Sequence, residues 1–355
     1  MNILIVAAGT GGHVYPALSV ARKFTANSLK VHWLGKKDSL EEKISQQEKY
    51  VFLYHNPYAY RGRNFIKKVY SFFTLCLSFI NAIFFLVKVK PRLVFSTGNY
   101  SSLGPGFAAI LLKIPLFIHE QNRVPGRVNK LLKPFSCLTF EGFKGSFPDS
   151  PKVKYVGNPI RNEFFKKKER LPSLNHSLDN LKILILGGSQ GSTQLNYLIS
   201  DILIDLPNPN RFFIHHQSGK KDKYFLDQKY KSAGVNSLVE EFIGNISDAM
   251  FTADLIISRA GAMTLSEIAF LSKPSILIPL PWSTDNHQFE NALYMQNLGA
   301  AILIDSSNYV KKELLDLIKS LLTNREKLEE MGKLAKLASI IDSSDQIFNY
   351  IYESI

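Results

Sequence analysis

Cysteine is scarce in this 355-residue sequence, and the acid pair of an Asp-x-Asp triplet is missing. Its two cysteines, Cys76 and Cys137, lie in apolar stretches, and no Asp-x-Asp triplet occurs anywhere in the chain. Two cysteines exclude a disulfide scaffold and cannot form a metal cluster alone, so we expect buried, reduced thiols. Because no acid pair stands at chelating spacing, we expect no bound metal and no other cofactor.

Acidic residues are also scarce in residues 1–160, which hold 22 Lys and Arg against 7 Asp and Glu. The net charge of this part is +15, whereas residues 161–355 carry −2. A basic half should meet an acidic partner, which leaves a nucleic acid, an anionic membrane or a phosphorylated substrate open. No basic region precedes the strand-like run 2–7, so we expect no signal peptide.

Short apolar runs alternate with helical patterns along the whole chain. The predicted strands are 2–7, 31–34, 92–95, 115–118, 136–140, 153–156, 182–186, 211–215, 237–242, 254–257, 275–279 and 301–304. Strands that alternate with helices predict parallel sheets in a doubly wound α/β architecture. The strands lack polar alternation, which predicts that both faces of each sheet are covered.

A short internal repeat predicts two domains. Residues 3–12 and 183–192 match at an offset of 180, each as a buried strand that runs into a glycine-rich turn. This pattern predicts two Rossmann-like domains facing a cleft, each with an anion-binding turn. Segment 161–180 is charged and polar and is predicted to be the linker. We therefore expect an N-terminal domain at 1–160 and a C-terminal domain at 161–337.

Residues 69–87 form an uncharged run of 19 residues flanked by lysines. Its length is at the threshold for crossing a membrane. Its polar residues recur at helical spacing, which favours a helix packed on its domain and lying on a membrane surface, with a true span left open. The expected inward stripe is Ser71, Thr74, Ser78 and Asn81. The side chains expected to face lipid are Phe72, Phe79, Ile83 and Leu86.

Two glycine turns are the strongest candidates for anion binding. In Gly9–His13 the glycines allow close backbone approach, and His13 could act as a general base near neutral pH. In Gly187–Gly191 the Ser189 hydroxyl lies beside a helix N-terminus, which suits a diphosphate held without metal. The alternative for each is a tight turn without a ligand.

Four further polar segments follow predicted strands. Glu267, in the segment 258–267, either answers a helix dipole or accepts hydrogen bonds from a ribose diol. Segment 281–292 suits sugar hydroxyls, with Asp285 as a helix N-cap in the alternative interpretation. Residues 119–122 and 98–102 end strands at the edge where α/β sheets bind ligands. A solvated loop is the alternative for 119–122.

In this order the motifs resemble the MurG family, which transfers N-acetylglucosamine from a UDP-sugar to a lipid-linked acceptor. The residues that carry the resemblance are Gly9–His13, His119–Asn122, Val156–Arg161, Gly187–Gly191, His216–Gly219 and Ser258–Glu267. The resemblance implies the two-domain glycosyltransferase-B fold, with the final helix, 338–355, packed back on the N-terminal domain. It also implies that the C-terminal domain binds UDP-N-acetylglucosamine.

The nucleotide-sugar contacts implied by the resemblance fall in both halves of the chain. They are Thr10, Gly11, Gly12, Asn122, Arg161, Ser189, Ile243, Ala262, Met263, Thr264, Leu265, Ser266, Glu267 and Gln288. The sequence departs from the family pattern at Asn99, where the family usually has the second glycine of a Gly-Gly-Tyr turn. It departs again at Met263, where the family often has a smaller or branched residue.

The resemblance implies an inverting, metal-independent glycosyltransferase of peptidoglycan synthesis that converts lipid I into lipid II. A single displacement needs one base, for which His13 is the first candidate and Glu120 the second. The implied partners are UDP-N-acetylglucosamine, undecaprenyl-pyrophosphoryl-muramyl-pentapeptide and an anionic membrane, with no nucleic acid. The implied location is peripheral, on the cytoplasmic face of the inner membrane. A UDP-N-acetylglucosamine 2-epimerase and a non-catalytic basic membrane- or RNA-binding protein are the alternatives.

Overall fold

The computed structural model describes residues 1–55, 57–58, 64–168, 181–188, 191–208, 211–305 and 310–354. The chain divides into two compact units, each described here by itself. Unit 1 is Met1–Arg161 together with Ile340–Ile355, and unit 2 is Asn162–Ser339.

Unit 1 is built on a parallel sheet of seven strands. The strands are β1 (Asn2–Val6), β2 (Lys30–Gly35), β3 (Val51–Tyr54), β4 (Leu93–Ser96), β5 (Leu116–Glu120), β6 (Leu138–Glu141) and β7 (Val153–Tyr155). Their spatial order is β3-β2-β1-β4-β5-β6-β7. The helices are α1 (Gly11–Ala26), α2 (Leu40–Gln47), α3 (Phe65–Val89), α4 (Leu103–Leu111) and α5 (Arg127–Leu132), joined by the last helix of the chain, described below.

Unit 2 is built on a parallel sheet of six strands. The strands are β8 (Leu181–Leu186), β9 (Phe212–Gln217), β10 (Ser237–Glu240), β11 (Leu255–Ser258), β12 (Ser275–Leu277) and β13 (Ala301–Leu303), in the order β10-β9-β8-β11-β12-β13. The helices are α6 (Asn162–Lys168), α7 (Thr193–Leu203), α8 (Lys223–Ser232), α9 (Ile246–Thr252), α10 (Ala262–Phe270), α11 (His287–Asn297), α12 (Lys311–Thr323) and α13 (Arg325–Lys336). Two parallel-sheet α/β units of this kind are the glycosyltransferase-B type, which confirms the predicted fold class.

Helices cover both faces of the unit 1 sheet, as the continuous apolar strands predict. Ile3 and Ile5 point to the face that α1 covers, and Leu4 and Val6 point to the face that α3 and α4 cover. These four side chains are at most 1% exposed. Alternate residues of β1 thus feed two separate cores.

The last helix, α14 (Ser343–Glu353), belongs to unit 1. Its approach depends on Gly157, whose φ is +75° and whose Cβ, if present, would lie 2.8 Å from the Cβ of Ile340. Ile347 and Ile351 are fully buried in the core beside α1. A larger residue at 157 would therefore push the returning segment off the unit.

Several local expectations were wrong. Strand β3 was not predicted. It is a four-residue strand at the edge of the sheet, with Val51 and Tyr54 exposed. Cys137 is exposed and Cys76 is half-buried, so neither thiol is in a core. The predicted linker begins as helix α6, and residues 169–180 lie outside the described residues.

Helix α3 is the longest helix described, with 25 residues, and is long and apolar enough to cross a membrane by length and composition. Its most apolar window has a mean hydropathy of 2.1 and is only 17% buried. Ser71 and Ser78 face inward as predicted, and the Thr74 hydroxyl donates to the Ser71 carbonyl at 3.0 Å.

The rest of the predicted facing of α3 is only partly right. Phe72 is 67% exposed as expected, but Asn81 is exposed, Leu86 is buried, and Phe79 and Ile83 pack against the core. The reason is the crossing with α4, where a Cβ on Gly104 would lie 2.4 Å from the Ser78 Oγ. This close approach turns the Phe79 and Ile83 side of α3 toward the sheet.

Candidate active site

The glycine turn of unit 1 links β1 to α1 and carries His13. Thr10 is the N-cap of α1 but its side chain makes no capping bond, and the N–H groups of Gly11 and Gly12 open the helix. The Nδ1 of His13 lies 2.8 Å from the Thr97 carbonyl. Because a carbonyl only accepts, Nδ1 carries the proton in this contact, which leaves Nε2 as the ring nitrogen that can accept one. This tautomer suits a general base.

The loop after β4 touches this turn through Asn99. The Nδ2 of Asn99 donates to the Ala8 carbonyl, and its Oδ1 accepts from the Ser101 N–H at 2.7 Å. Asn99 has φ 75° and ψ 170°, a region populated almost only by glycine and costing about 1–3 kcal/mol for other residues. The departure from the family pattern is thus a strained asparagine whose side chain is hydrogen-bonded on both sides.

The same loop is attached to α3. The Tyr100 hydroxyl donates to the Ser71 carbonyl at 3.0 Å, and the Ser101 carbonyl lies 2.9 Å from the Nε2 of His55. The Ser78 Oγ lies 3.0 Å from the same nitrogen. Burial lowers the pKa of His55 to about 4, so the ring is neutral. The polar stripe of α3 therefore packs directly on the loop beside His13.

Glu120 is buried at the end of β5 and is fully occupied. Its Oε1 accepts from the N–H and the side-chain amide of Asn122, at 3.0 and 3.2 Å. Its Oε2 accepts from the Gly126 N–H at 2.9 Å and from Asn129 Nδ2 at 2.8 Å. A carboxylate that accepts four hydrogen bonds organises its loop and has no lone pair left for a substrate proton. Glu120, the second candidate for the base, therefore holds Asn122 and the loop up to Asn129 in place through these bonds.

His119 and Arg161 lie in the same part of unit 1. His119 is fully buried, with Nε2 3.0 Å from the Gly157 carbonyl, and burial lowers its pKa to about 4. The proximity of His13 lowers this pKa further. The guanidinium of Arg161 stacks over the Tyr15 ring, 4.9 Å from its centroid. The structure thus brings His13, Asn122 and Arg161 to the carboxyl edge of the unit 1 sheet.

Unit 2 has a cavity of about 180 Å³ at the carboxyl edge of its sheet. Among the described residues its lining is Leu186, Gly187, Gly188, Gly191, Ser192, Arg259, Gly261, Thr264, Leu280 and Gln288. Helices α7 and α10 both begin at this cavity. The Ser192 side chain at the N-cap of α7 makes no capping bond, and the N-cap of α10 is Gly261, which has no side chain. Two helix N-termini with open N–H groups favour a phosphate or diphosphate.

The second glycine turn is shaped by close backbone packing. A Cβ on Gly187 would lie 2.8 Å from the Ser192 nitrogen, and one on Gly191 would lie 2.7 Å from the Ser218 carbonyl oxygen. Gly188 has φ +90°. Ser189, predicted to add a hydroxyl to this site, lies outside the described residues.

Arg259 is the residue of this cavity that the sequence reasoning did not select. It is 6% exposed, and its guanidinium donates to the Ser192 Oγ at 2.8 and 3.2 Å, to the Ile278 and Pro279 carbonyls at 2.9 Å, and to the Gln194 Oε1. Burial lowers its pKa to about 10, so it remains charged. No acid of the described residues forms a salt bridge with it. The only sequence signal was its place directly after a buried strand.

Gln217 connects the glycine turn to Ile243. Its Nε2 donates to the Gly188 carbonyl at 2.8 Å, and its Oε1 accepts from the Ile243 N–H at 3.3 Å. Behind it His216 is fully buried between Tyr230 and Asn196, and burial lowers its pKa to about 3. Ile243, a predicted contact, is therefore positioned by its hydrogen bond to Gln217 at the end of β9.

The predicted stretch 262–267 forms the first turns of α10. Thr264 lines the cavity, whereas Leu265 is fully buried in the unit and Ala262 and Met263 are 7% and 8% exposed. Ser266 donates its hydroxyl to the Ala262 carbonyl at 2.9 Å, within its own helix. Because the Leu265 side chain is fully buried, Leu265 could contact a ligand only through its backbone.

Glu267 and Gln288 lie on either side of these turns in the sequence. Glu267 is 4% exposed and in the second half of α10, which argues against a simple response to the helix dipole. Gln288 lines the cavity, and its Oε1 accepts from the Leu280 N–H at 3.0 Å. Asp285 is not the N-cap of α11, because the cap is Asn286. No group of three or more potential metal ligands occurs among the described residues.

Comparison with known proteins covers both units. Residues 3–137 match the glycosyltransferase family 28 N-terminal domain, and residues 182–347 match the family 28 C-terminal domain. The UDP-N-acetylglucosamine–N-acetylmuramyl-(pentapeptide) pyrophosphoryl-undecaprenol N-acetylglucosamine transferase of Tolumonas auensis is 34% identical, over 98% of this chain and 97% of the relative. The enzyme of that name from Pseudomonas syringae pv. tomato is 36% identical, over 99% and 98%.

The solved structure of Acinetobacter baumannii MurG matches with a TM-score of 0.82 and 29% identity, over 99% of both chains. The chain belongs to the MurG family. It is therefore a glycosyltransferase of family 28. UDP-GlcNAc 2-epimerase from Neisseria meningitidis matches with a TM-score of 0.69 but only 15% identity, so that likeness shows the shared fold alone.

Proposed function

We propose that this chain transfers N-acetylglucosamine from UDP-N-acetylglucosamine to lipid I, the undecaprenyl-pyrophosphoryl-muramyl-pentapeptide, and so forms lipid II for peptidoglycan. The observation that carries the proposal is the match, over nearly the whole chain, to MurG-family enzymes whose names state this transfer. The arrangement of His13 and of the unit 2 cavity supports it independently.

Unit 2 is proposed to bind the donor. The N-termini of α7 and α10 would hold the diphosphate. Arg259 donates its N–H groups to protein acceptors, so it would hold Ser192 in place and attract the anion through its buried positive charge, which no acid of the described residues pairs. Glu267 would accept hydrogen bonds from the ribose diol, and Gln288 would contact the sugar. The other proposed contacts in unit 2 are Ser189, Ile243, Ala262, Met263, Thr264, Leu265 and Ser266.

Unit 1 is proposed to supply the base and the acceptor side, with Thr10, Gly11, Gly12, Asn122 and Arg161 as further contacts. An acceptor hydroxyl attacks the anomeric carbon while its proton passes to the Nε2 of His13. The bond from that carbon to the diphosphate breaks, and UDP leaves with the electron pair. One displacement inverts the α-linked donor to a β-linked product and needs no enzyme nucleophile.

The leaving diphosphate is a stable anion, so N–H groups at helix N-termini together with Arg259 can stabilise it without a metal. We therefore propose a metal-independent reaction. Full activity in chelator is expected, and an absolute requirement for magnesium or manganese would contradict it.

The acceptor is membrane-bound, and α3 is proposed to lie on that membrane. Its outer side exposes Phe65, Phe72 and Phe84 by 77%, 67% and 67%. The net charge of +15 in residues 1–160 suits anionic headgroups. We propose a peripheral location on the cytoplasmic face of the inner membrane, with no nucleic-acid partner.

The test is transfer itself. Purified protein is incubated with labelled UDP-N-acetylglucosamine and a short-chain lipid I analogue, and labelled disaccharide product is measured. Omission of the acceptor is the control, since a 2-epimerase would convert the donor without it. Donor epimerisation without disaccharide would favour the epimerase, and no donor binding at all would favour a non-catalytic membrane- or RNA-binding protein.

A further inference from the structure

Asn99 connects the loop after β4, to which it belongs, with the turn after β1 that leads to His13. Its amide nitrogen donates to the Ala8 carbonyl, in the turn after β1, although Asn99 itself belongs to the loop after β4. A Cβ on Gly9 would lie 3.2 Å from this nitrogen, so the two loops are in contact at this point.

A second bridge joins the same two loops. It runs from the Nδ1 of His13 to the Thr97 carbonyl at 2.8 Å, two residues before Asn99. The backbone adds only one long bond, from the Thr97 N–H to the Val6 carbonyl at 3.4 Å. The position of the His13 ring relative to β4 therefore depends on side-chain bridges.

The backbone of Asn99 gives a reason to regard its bridge as more than incidental. Its φ of 75° and ψ of 170° suit glycine, and an asparagine is held there only when its surroundings over-determine the conformation. The two hydrogen bonds of its side chain, to Ala8 and to Ser101, supply that constraint.

We infer that Asn99 is a positioning residue for the transfer reaction: its amide fixes the turn 8–13 and thereby the orientation of the His13 ring. The inference rests on the proposed function, because His13 is the proposed base. It concerns kcat more than donor binding, since the donor is proposed to bind mainly through unit 2, although Thr10, Gly11 and Gly12 of this turn are also proposed contacts.

Two variants separate the bridge from the local turn. Asn99→Asp keeps an oxygen to accept from the Ser101 N–H but replaces the amide donor with an oxygen that repels the Ala8 carbonyl. Asn99→Gly relieves the backbone strain and removes both side-chain bonds. Ser28→Gly is the matched control, because Ser28 also has a positive φ, of 62°, and is exposed in unit 1 away from this site.

Asn99→Asp should lower kcat by about tenfold or more, because small misplacements of a reacting group are costly. Asn99→Gly, which relieves the backbone strain and restores the residue usual in the family, should lower kcat less. The KM for UDP-N-acetylglucosamine should stay within about twofold of wild type, and Ser28→Gly should not change either constant. Hydrogen exchange of residues 8–13 should be faster in both Asn99 variants and unchanged in the control.

Wild-type kcat together with wild-type exchange in Asn99→Asp would overturn the inference, as would an equal effect on donor KM. The exchange measurement needs no turnover. If the wild-type protein failed to make disaccharide, the proposed function would fail while the bridge of Asn99 would still be tested.

Discussion

The two glycine turns stand at equivalent places in similar units, yet they are held in different ways. In unit 1 the turn 9–13 is held through side-chain hydrogen bonds of His13 and Asn99 to backbone carbonyls. In unit 2 the Gln217 amide donates to Gly188, and a buried cation, Arg259, donates to Ser192 and to the Ile278 carbonyl just after β12. A neutral surrounding suits a base that must accept a proton, whereas a fixed cation suits a leaving anion.

The distribution of charge differs in the same sense. Residues 1–160 carry a net charge of +15, spread mostly over exposed lysines, and residues 161–355 carry −2. The basic unit therefore concentrates its charge on the outside, where it can act on a membrane surface. The nearly neutral unit buries the charge of Arg259, where screening by salt is weak.

The largest expected effect is on the base of unit 1. His13→Gln removes the proposed proton acceptor and should reduce kcat by about 10²–10⁴-fold. UDP binding should not change, because the donor is proposed to bind unit 2. Steady-state transfer kinetics and calorimetric titration of UDP measure the two. A kcat within about threefold of wild type would remove His13 as the base.

The next largest effect is expected at Arg259, the buried cation beside the cavity of unit 2. Arg259→Met keeps the volume but removes hydrogen bonds from a charged donor, each worth about 1.5–3 kcal/mol, so UDP affinity should fall about 10–100-fold. The control is Lys231→Met, because Lys231 is an exposed cation on α8, 70% accessible. Equal losses in both variants would mean that the net charge of the protein, and not the buried position of Arg259, determines the affinity for UDP.

Acid should distinguish the stabilities of the two units. Unit 1 buries His55 and His119 with pKa values of about 4, and unit 2 buries His216 with a pKa of about 3. Because these values are below that of an unfolded histidine, about 6.5, the unfolded state binds more protons and stability falls as pH drops below that value. At pH 5 each of these histidines should lower the free energy of unfolding by about 2 kcal/mol.

Burial also lowers the pKa of His32 in unit 1, so unit 1, with three such groups, should lose more stability than unit 2 between pH 7 and pH 5. Hydrogen exchange of the strands in each unit, compared at the two pH values, measures this. His55→Gln should reduce the pH dependence of unit 1 and leave that of unit 2 unchanged. A larger loss in unit 2 would contradict the assignment.

The smallest expected effect concerns the membrane face of unit 1. Phe72→Ser with Phe84→Ser should weaken binding to anionic vesicles several-fold, since both rings are 67% exposed on α3. Tyr224→Ser is the control, because Tyr224 is 78% exposed in unit 2. Concentrated salt should release part of the protein. Retention through salt and alkaline carbonate, with release only by detergent, would instead establish a transmembrane span.

The sequence by itself determined the architecture and the places of the candidate sites. Twelve of the strands were predictable, because fully buried strands in parallel sheets are continuous apolar runs. The glycine turns were predictable because a strand followed by glycines and a helix is a local pattern. The strand that was missed, β3, is also an apolar run, but it is only four residues long and lies at the edge of its sheet.

Tertiary structure decided what the polar residues of those sites do. The sequence cannot show that Glu120 accepts four hydrogen bonds, that Arg259 spans from α7 to the end of β12, or that α4 turns Phe79 inward. Each of these depends on partners far apart in the chain. A periodic apolar pattern is repeated over many residues and survives as a local signal, whereas the role of one polar side chain is set by the few atoms that folding brings within about 3 Å.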